Sequence, residues 1–204
     1  MNIEDWNQRY GSDGYFYGTA PNDFLSASAA LIPPGPVLCL ADGEGRNGVF
    51  LAEHGHAVTA VDQSAVGLAK AAQLAAARGV PLTTVVADLT DFAIAPGAWS
   101  GIVSMFVHLP QPLRRDVHAR VVAGLRPGGV LILEAYNPAQ VNFRTGGPVQ
   151  QPELLMRLDD LRREFAGLEF IVAHEIERDV LEGTGHRGHS AVVQVIARRS
   201  ATRS

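Results

Sequence analysis

One cysteine and one lysine in 204 residues set the first limits on what this chain does. Cys39 alone can form no internal disulfide and no multi-thiolate metal site, and no metal is expected. Its place inside the apolar run Val37 to Ala41 makes it a small buried hydrophobe rather than a nucleophile. Lys70 stands far from any Gly-Lys-Ser or Tyr-x-x-x-Lys context, which disfavours a P-loop phosphotransferase and a dehydrogenase using a Tyr/Lys pair. Positive charge is not in excess: 17 Lys and Arg against 21 Asp and Glu give a net charge of −4. The basic field with which nucleic-acid binders reach phosphates is therefore lacking, Arg114, Arg115, Arg162 and Arg163 read as solvated helix faces, and no nucleic acid partner is expected. No apolar run approaches the roughly 20 residues that span a bilayer, and the acidic, Trp-containing N-terminus lacks signal-peptide order. A cytoplasmic protein without a membrane partner is the expectation.

The chain does have enough apolar material, 47% of its residues, for one well-buried core. The expected organisation is one domain over residues 1–204, with an N-terminal segment, 1–35, ahead of an α/β core, 36–204. The core is organised around Val37 to Asp62, which has the form strand, glycine turn, helix, strand, acidic residue. Val37 to Ala41 is an unbroken apolar run, as expected of a parallel strand buried on both faces. Gly43, Gly45 and Gly48 then let the backbone turn tightly and expose N–H groups to a ligand at the start of the next helix. Asp62, nineteen positions after Gly43, ends the next apolar run, where a carboxylate can accept hydrogen bonds from ribose hydroxyls. This is the pattern of an adenosine site. Gly43-Glu44-Gly45-Arg46-Asn47-Gly48 also satisfies the G-x-G-x-x-G spacing of nicotinamide enzymes, so spacing alone leaves the cofactor open.

The wider context resembles one family. Leu40-Ala41-Asp42-Gly43-Glu44-Gly45-Arg46-Asn47, with Val61-Asp62-Gln63-Ser64 at the second strand end and Leu125-Arg126-Pro127-Gly128-Gly129 before a later strand, is similar to the class I S-adenosylmethionine-dependent methyltransferases, in particular their small tellurite-resistance and thiopurine-methyltransferase-like members. Cys39 and Ala41 depart from the pattern, standing where an acidic residue and the first glycine are usual. The resemblance implies a Rossmann-like, doubly wound, seven-stranded, mostly parallel sheet. It implies S-adenosyl-L-methionine as cofactor and S-adenosyl-L-homocysteine as product, held by Ala41, Gly43, Glu44, Gly45, Asn47, Asp62, Gln63, Ser64 and Phe106. By the same resemblance Asp88 accepts from the adenine amino group and the Leu89 N–H meets a ring nitrogen; a simple turn cap is the alternative for Asp88. The aromatic segment from Trp6 through Tyr10 and Tyr15-Phe16-Tyr17 to Phe24 is either a pinned N-terminal segment or a lid that excludes water from the reacting methyl group.

Taken in order, Asn22 or Asp23 caps a helix to Leu31, Ser64 caps one ending at Arg78 and Gly79, and Leu113, Val117 and Val121 mark another. A helix is expected from about Pro152 to Phe165, after a loop over Phe143 to Pro148. Leu168 to Ala173 and Ser190 to Ala197 read as an antiparallel pair at the sheet edge. Strand mouths in open parallel sheets carry the ligands. On that ground His108, after the fourth strand, is a candidate for catalysis and Tyr136 and Asn137 are candidates for the acceptor side; Tyr17 in the N-terminal segment is a further catalytic candidate, and Tyr10 of that segment and His186, which flanks the link between the last two strands, are further acceptor-side candidates, the catalytic ones not firm. Val107-His108-Leu109-Pro110 replaces the Asn/Asp-Pro-Pro-aromatic segment of amino-methylating enzymes, which argues against an exocyclic amino acceptor. The expected activity is methyl transfer to a small molecule, with a thiol or chalcogen such as a tellurite-derived species favoured. The alternatives are an O, N or carboxylate acceptor, a nicotinamide-dependent oxidoreductase, or a non-catalytic S-adenosylmethionine-binding protein.

Overall fold

A computed structural model describes residues 3–143 and 145–201. Seven strands, β1 (Pro36–Leu40), β2 (Ala57–Asp62), β3 (Thr83–Val86), β4 (Trp99–Met105), β5 (Leu125–Tyr136), β6 (Leu168–Glu182) and β7 (His186–Arg199), form one sheet in the order β3-β2-β1-β4-β5-β7-β6. The first five are parallel, and β7 pairs antiparallel with both β5 and β6. Among the described residues six α-helices accompany them: α1 (Ile3–Tyr10), α2 (Asp23–Ser28), α3 (Arg46–Glu53), α4 (Ala65–Arg78), α5 (Gln111–Gly124) and α6 (Leu158–Glu164).

Alternate residues of the central strands go to opposite faces, so their continuous apolar runs feed two cores at once. Leu38 and Leu40 pack with Ile102, Leu131, Val117, Val121, Leu161 and Phe165, beneath α5 and α6. Val37 and Cys39 pack with Val103, Ile132, Leu25, Leu51 and Ile32, beneath α2 and α3. The sheet is therefore wound on both sides, and the carboxyl ends of β1, β2, β4 and β5 open on one rim. Helix starts follow local chemistry. The Asn22 side chain accepts from the Leu25 N–H and that of Ser64 from the Gly67 N–H, each satisfying a donor that a helix start leaves bare.

Four expectations change. Arg114 is 1% exposed rather than solvated: its Nε and Nη2 donate to Glu164, which also takes His118 Nδ1 at 2.7 Å, so the three side chains fasten α5 to α6. The expected helix from Pro152 is broken. A single 3₁₀ turn over Pro152–Leu154 is followed by extended chain, because the Leu154 carbonyl accepts from His108 and the Met156 N–H donates to the Tyr136 carbonyl, and α6 starts only at Leu158. Leu125 to Gly129, expected to lie ahead of a strand, is itself the start of β5, across a register irregularity opposite Trp99 and Gly101. The terminal strands are far longer than their apolar runs and meet in a turn at residues 183–185. Arg144, within the loop expected over Phe143 to Pro148, lies outside the described residues.

The Arg114–Glu164–His118 cluster predicts acid sensitivity. His118 and Arg114 hold the Glu164 carboxyl down to about 2 from 4.5 despite the opposing effect of burial, while burial pushes the His118 imidazole below its usual 6.5. In both cases the unfolded chain binds more protons, so stability falls with pH: His118 contributes as pH drops below 6.5, and the Glu164 contribution, whole above 4.5, is lost on the way to about 2. Melting curves between pH 7 and pH 3 should show a steeper fall for the wild type than for Glu164→Gln; parallel curves would contradict this.

Candidate active site

The turn after β1 combines left-handed backbone with close packing. Ala41, Gly43 and Gly45 all have positive φ, 47°, 56° and 84°. A Cβ on Gly45 would lie 2.8 Å from the Ala71 Cα of α4, so this glycine lets α3 and α4 approach. Ala41 adopts the same region with a side chain, at a cost on the order of 1 kcal/mol. Ala41→Gly is therefore expected to raise stability by up to about 1 kcal/mol, and a lower melting temperature would contradict this.

Asp62 ends β2 with its Oδ2 accepting the Gly43 N–H at 2.9 Å and its Oδ1 accepting the Ser64 N–H at 2.8 Å. It is 5% exposed, and burial raises its pKa against those two hydrogen bonds. Each oxygen keeps further acceptor capacity, since a carboxylate offers about four lone-pair sites. Asp42, which spacing arguments did not single out, accepts the Gly48 N–H at 3.1 Å inside the start of α3, and burial lifts its pKa to about 7. Asp88 is exposed, with Oδ1 taken by the Thr90 N–H as in a turn cap, and Leu89 beside it is buried. Gln63 is half-buried, and the Ser64 hydroxyl donates to Asn7 Oδ1 in α1.

The N-terminal segment closes over this turn. The Tyr10 hydroxyl lies where a Gly43 side chain would be, 2.6 Å from its ideal Cβ, so Tyr10 stands on the glycine turn beside Asp62. Glu44 accepts the Phe16 N–H at 2.8 Å and the Tyr17 N–H at 3.4 Å. Lys70 joins Glu44 at 3.1 Å and donates to the Ser12 and Gly14 carbonyls, so the sole lysine ties residues 12–17 to the glycine turn. From the other side the Thr184 N–H, in the β6–β7 turn, donates to the Phe16 carbonyl.

Next to this strap, rings from four segments meet. Tyr17, Phe106 and Tyr136 have centroids 4.7, 4.5 and 5.4 Å from that of His186, and Phe106 and Tyr136 are 4.7 Å apart. Phe106, at the β4 mouth, holds φ at 56°, a strained value for a side-chain-bearing residue of the kind that gathers at functional sites. Tyr17 accepts a hydrogen bond from Arg9 at 3.0 Å. His108 lies under the group with both nitrogens occupied: Nδ1 bonds the Leu154 carbonyl at 3.1 Å and Nε2 accepts from the Tyr136 N–H at 3.4 Å. Burial lowers its pKa to about 4. The Asn137 side chain accepts from the Ala139 N–H and donates to the Val192 carbonyl, which anchors a loop.

Beneath the rings runs a buried polar network that sequence reasoning missed. Glu134 of β5 accepts from Arg178 Nε and Nη2 at 2.8 and 2.6 Å, from Asn22 at 2.5 Å and from Gln194 at 2.6 Å. Glu182 of β6 accepts from Arg46 at 2.5 Å, Asn22 at 2.8 Å and His186 at 3.1 Å. Asn47 accepts the Asn22 N–H at 2.9 Å. Arg46 and Asn47 thus link the glycine turn to the far sheet edge. The signal available in sequence was Arg46-Asn47 directly after the glycines; Arg46 finds Glu182 136 positions later, and Asn47 finds Asn22 25 positions earlier.

Residues 37–129 match a family model described as a methyltransferase domain. The chain carries a methyltransferase domain. The rest of this methyltransferase continues the same sheet, and its order β3-β2-β1-β4-β5-β7-β6, with β7 antiparallel, departs from the 3-2-1-4-5-6 order of nicotinamide-binding folds. No curated protein matches the chain in sequence. Solved structures share its class I fold. One, solved for the conversion of a disulfide bond into a thioacetal group during echinomycin biosynthesis, has a TM-score of 0.78 at 20% identity, covering 99% of this chain and 93% of that one. TehB from Haemophilus influenzae has a TM-score of 0.71 at 19% identity, covering 97% and 67%. The N-methyltransferase NodS from Bradyrhizobium japonicum WM9, in complex with S-adenosyl-l-homocysteine, has a TM-score of 0.70 at 14% identity, covering 97% of both chains.

The cofactor of a class I methyltransferase is S-adenosylmethionine, and the residues present fit it. Asp62 is a buried carboxylate with acceptor capacity to spare beside left-handed backbone, which suits a ribose. Among the described residues no helix is long and apolar enough to cross a membrane, and no group of three His, Cys, Asp or Glu side chains could hold a metal ion.

Proposed function

We propose that this methyltransferase acts on a small, soft nucleophile, a thiol or a chalcogen such as a tellurite-derived species. The observation that carries the proposal is the ring group of Tyr17, Phe106, Tyr136 and His186 at the strand mouths: polarisable, largely apolar walls suit sulfur and its heavier relatives better than strongly hydrated amines or carboxylates. The chemistry attached to one neighbour, a disulfide converted into a thioacetal, agrees with it.

In this proposal Asp62 takes the ribose hydroxyls, Asp88 and the Leu89 N–H take the adenine, and the amides after β1 take the methionine end. S-adenosylmethionine supplies, when bound, an electrophilic methyl group on a sulfonium. The strap of residues 12–17, fastened by Glu44, Lys70 and Thr184, excludes water and fixes the approach of the acceptor. Alignment of this kind is worth up to roughly 7 to 11 kcal/mol for well-placed reactants, so no elaborate catalytic set is required. His108, with both ring nitrogens occupied, acts in positioning the Leu154 to Met156 segment.

The test is transfer of labelled methyl from S-adenosylmethionine to a panel of thiols, selenite and tellurite against amine, hydroxyl and carboxylate metabolites. Labelled thioether or methylated chalcogen is expected; labelling of the second group alone would overturn the proposal.

A further inference from the structure

Three features meet at the mouth of β5. First, the Glu182 carboxylate accepts from His186 Nδ1 at 3.1 Å, and Glu182 is itself fixed by Arg46 and Asn22. A carboxylate partner sets the tautomer: Nδ1 carries the hydrogen and the Nε2 lone pair is left. That nitrogen makes no hydrogen bond among the described residues, and it is not one of the sealed, unpartnered side-chain atoms, which are His56 Nδ1, Trp99 Nε1, Arg120 Nε and the Tyr136 hydroxyl. Second, the Tyr136 hydroxyl is fully buried and has no partner in hydrogen-bond geometry, with Ser190 the side chain near enough to interact with it. Third, both groups lie under Gly146. Its ideal Cβ would be 2.7 Å from the Tyr136 hydroxyl and 3.2 Å from His186 Cδ2, the carbon next to Nε2. Gly146 and Gly147 in turn line an open cleft of about 510 Å³ with Val141, Val149 and Gln150, a size in the range of small-molecule sites.

We infer that His186, oriented by Glu182, is the general base that deprotonates a protic acceptor, a thiol entering beneath the Gly146–Gly147 loop, with the Tyr136 hydroxyl as the donor that holds its sulfur. This rests on the methyl-transfer reading above and narrows it: the acceptor carries an S–H rather than arriving as a preformed oxyanion. The S–H proton passes to Nε2, and the imidazolium so formed is stabilised by Glu182. The sulfur lone pair forms the new bond to the methyl carbon while the bond from that carbon to the donor sulfonium breaks. Its electron pair stays on the donor sulfur, and the proton leaves His186 to water.

The groups around the imidazole are consistent with a base that is neutral when substrate arrives. Glu182 faces it from β6, Arg46 from α3, Arg9 from α1, Tyr17 from the strap, and Tyr136 and His108 from the β5 and β4 mouths. Burial first, then Arg46 and Arg9, lower the His186 pKa against the pull of Glu182. Burial and the nearby Glu182 and Glu134 raise that of Tyr136, which stays a donor.

The experiment compares wild type and His186→Gln with an alkyl thiol and with an arenethiol already ionised at neutral pH. General-base loss of about 10²- to 10⁴-fold in kcat/KM is expected for the alkyl thiol, and at most about tenfold for the arenethiol. The wild-type profile should rise with pH through a pKa below 6.5, whereas the variant should follow ionisation of the thiol itself, near about 8.5 for a cysteine-like group. A second readout needs neither turnover nor a variant: ¹⁵N-edited NMR of the wild-type chain should show His186 as the neutral Nδ1–H tautomer at pH 7. Equal losses for both thiols, an unchanged pH profile, or the Nε2–H tautomer would overturn the inference while leaving methyl transfer standing. A wild type that methylates tellurite or selenite but no thiol overturns this inference and leaves the proposed function standing; one that labels only amines, hydroxyls or carboxylates overturns both.

Discussion

Glu134→Ala is expected to cost about 3–5 kcal/mol of folding stability, because it leaves the half-buried Arg178 guanidinium and the buried Asn22 and Gln194 amides without their carboxylate. Glu134 is fully buried and receives four donors, two from Arg178 and one each from Asn22 and Gln194, about the number of acceptor sites a carboxylate has. No other group can take over the pair: Glu182 approaches Arg178 only at 3.9 Å and is committed to Arg46, and Asp23 is exposed. For a chain of this length each kcal/mol moves the melting temperature by roughly 2–4 °C, so scanning calorimetry should record a fall of roughly 6–20 °C. A fall of less than about 2 °C would mean that the network is not the brace between β5, β6 and the Asn22 helix cap that its geometry describes.

Asp62→Ala is expected to weaken S-adenosylhomocysteine binding by about 1–3 kcal/mol, roughly 5- to 150-fold, by removing charge-assisted hydrogen bonds to the ribose. The same carboxylate also holds the Gly43 and Ser64 N–H groups, so part of the loss reflects a looser turn. Asp62→Asn separates the two contributions: it retains one acceptor oxygen and a similar shape but loses the charge, and should bind with intermediate affinity. Equal affinity of wild type and Asp62→Ala in titration calorimetry would remove Asp62 from the site.

Much of the fold was legible because it is local. Val37 to Leu40 reads as a doubly buried strand, Ser64 and Asn22 as helix caps, and the glycines after β1 as a left-handed turn; each is settled by residues a few positions apart. What escaped sequence reasoning depends on partners distant in the chain. Arg114 looks like a surface residue on a helix until Glu164, fifty positions later, is brought against it. The break at Leu155 follows from two hydrogen bonds to the β4 and β5 mouths and from no helix-breaking residue inside the segment. Lys70 gave only an exclusion in the sequence, yet it ties down the strap over the glycine turn. In the candidate site, Tyr136 and His186, expected on the acceptor side, and Phe106, expected at the cofactor, have their ring centroids within 5.4 Å of one another. The sequence could not tell that the His108 nitrogens are both occupied while His186 keeps one free, since that follows from Glu182, Leu154 and the Tyr136 backbone.

The measurement that bears most directly on the cofactor cradle is calorimetric titration of the full chain with S-adenosylhomocysteine, with NADH as the competing ligand. The account predicts saturable binding of S-adenosylhomocysteine, one per chain, and no response to NADH. Binding of NADH with no heat from S-adenosylhomocysteine would contradict it.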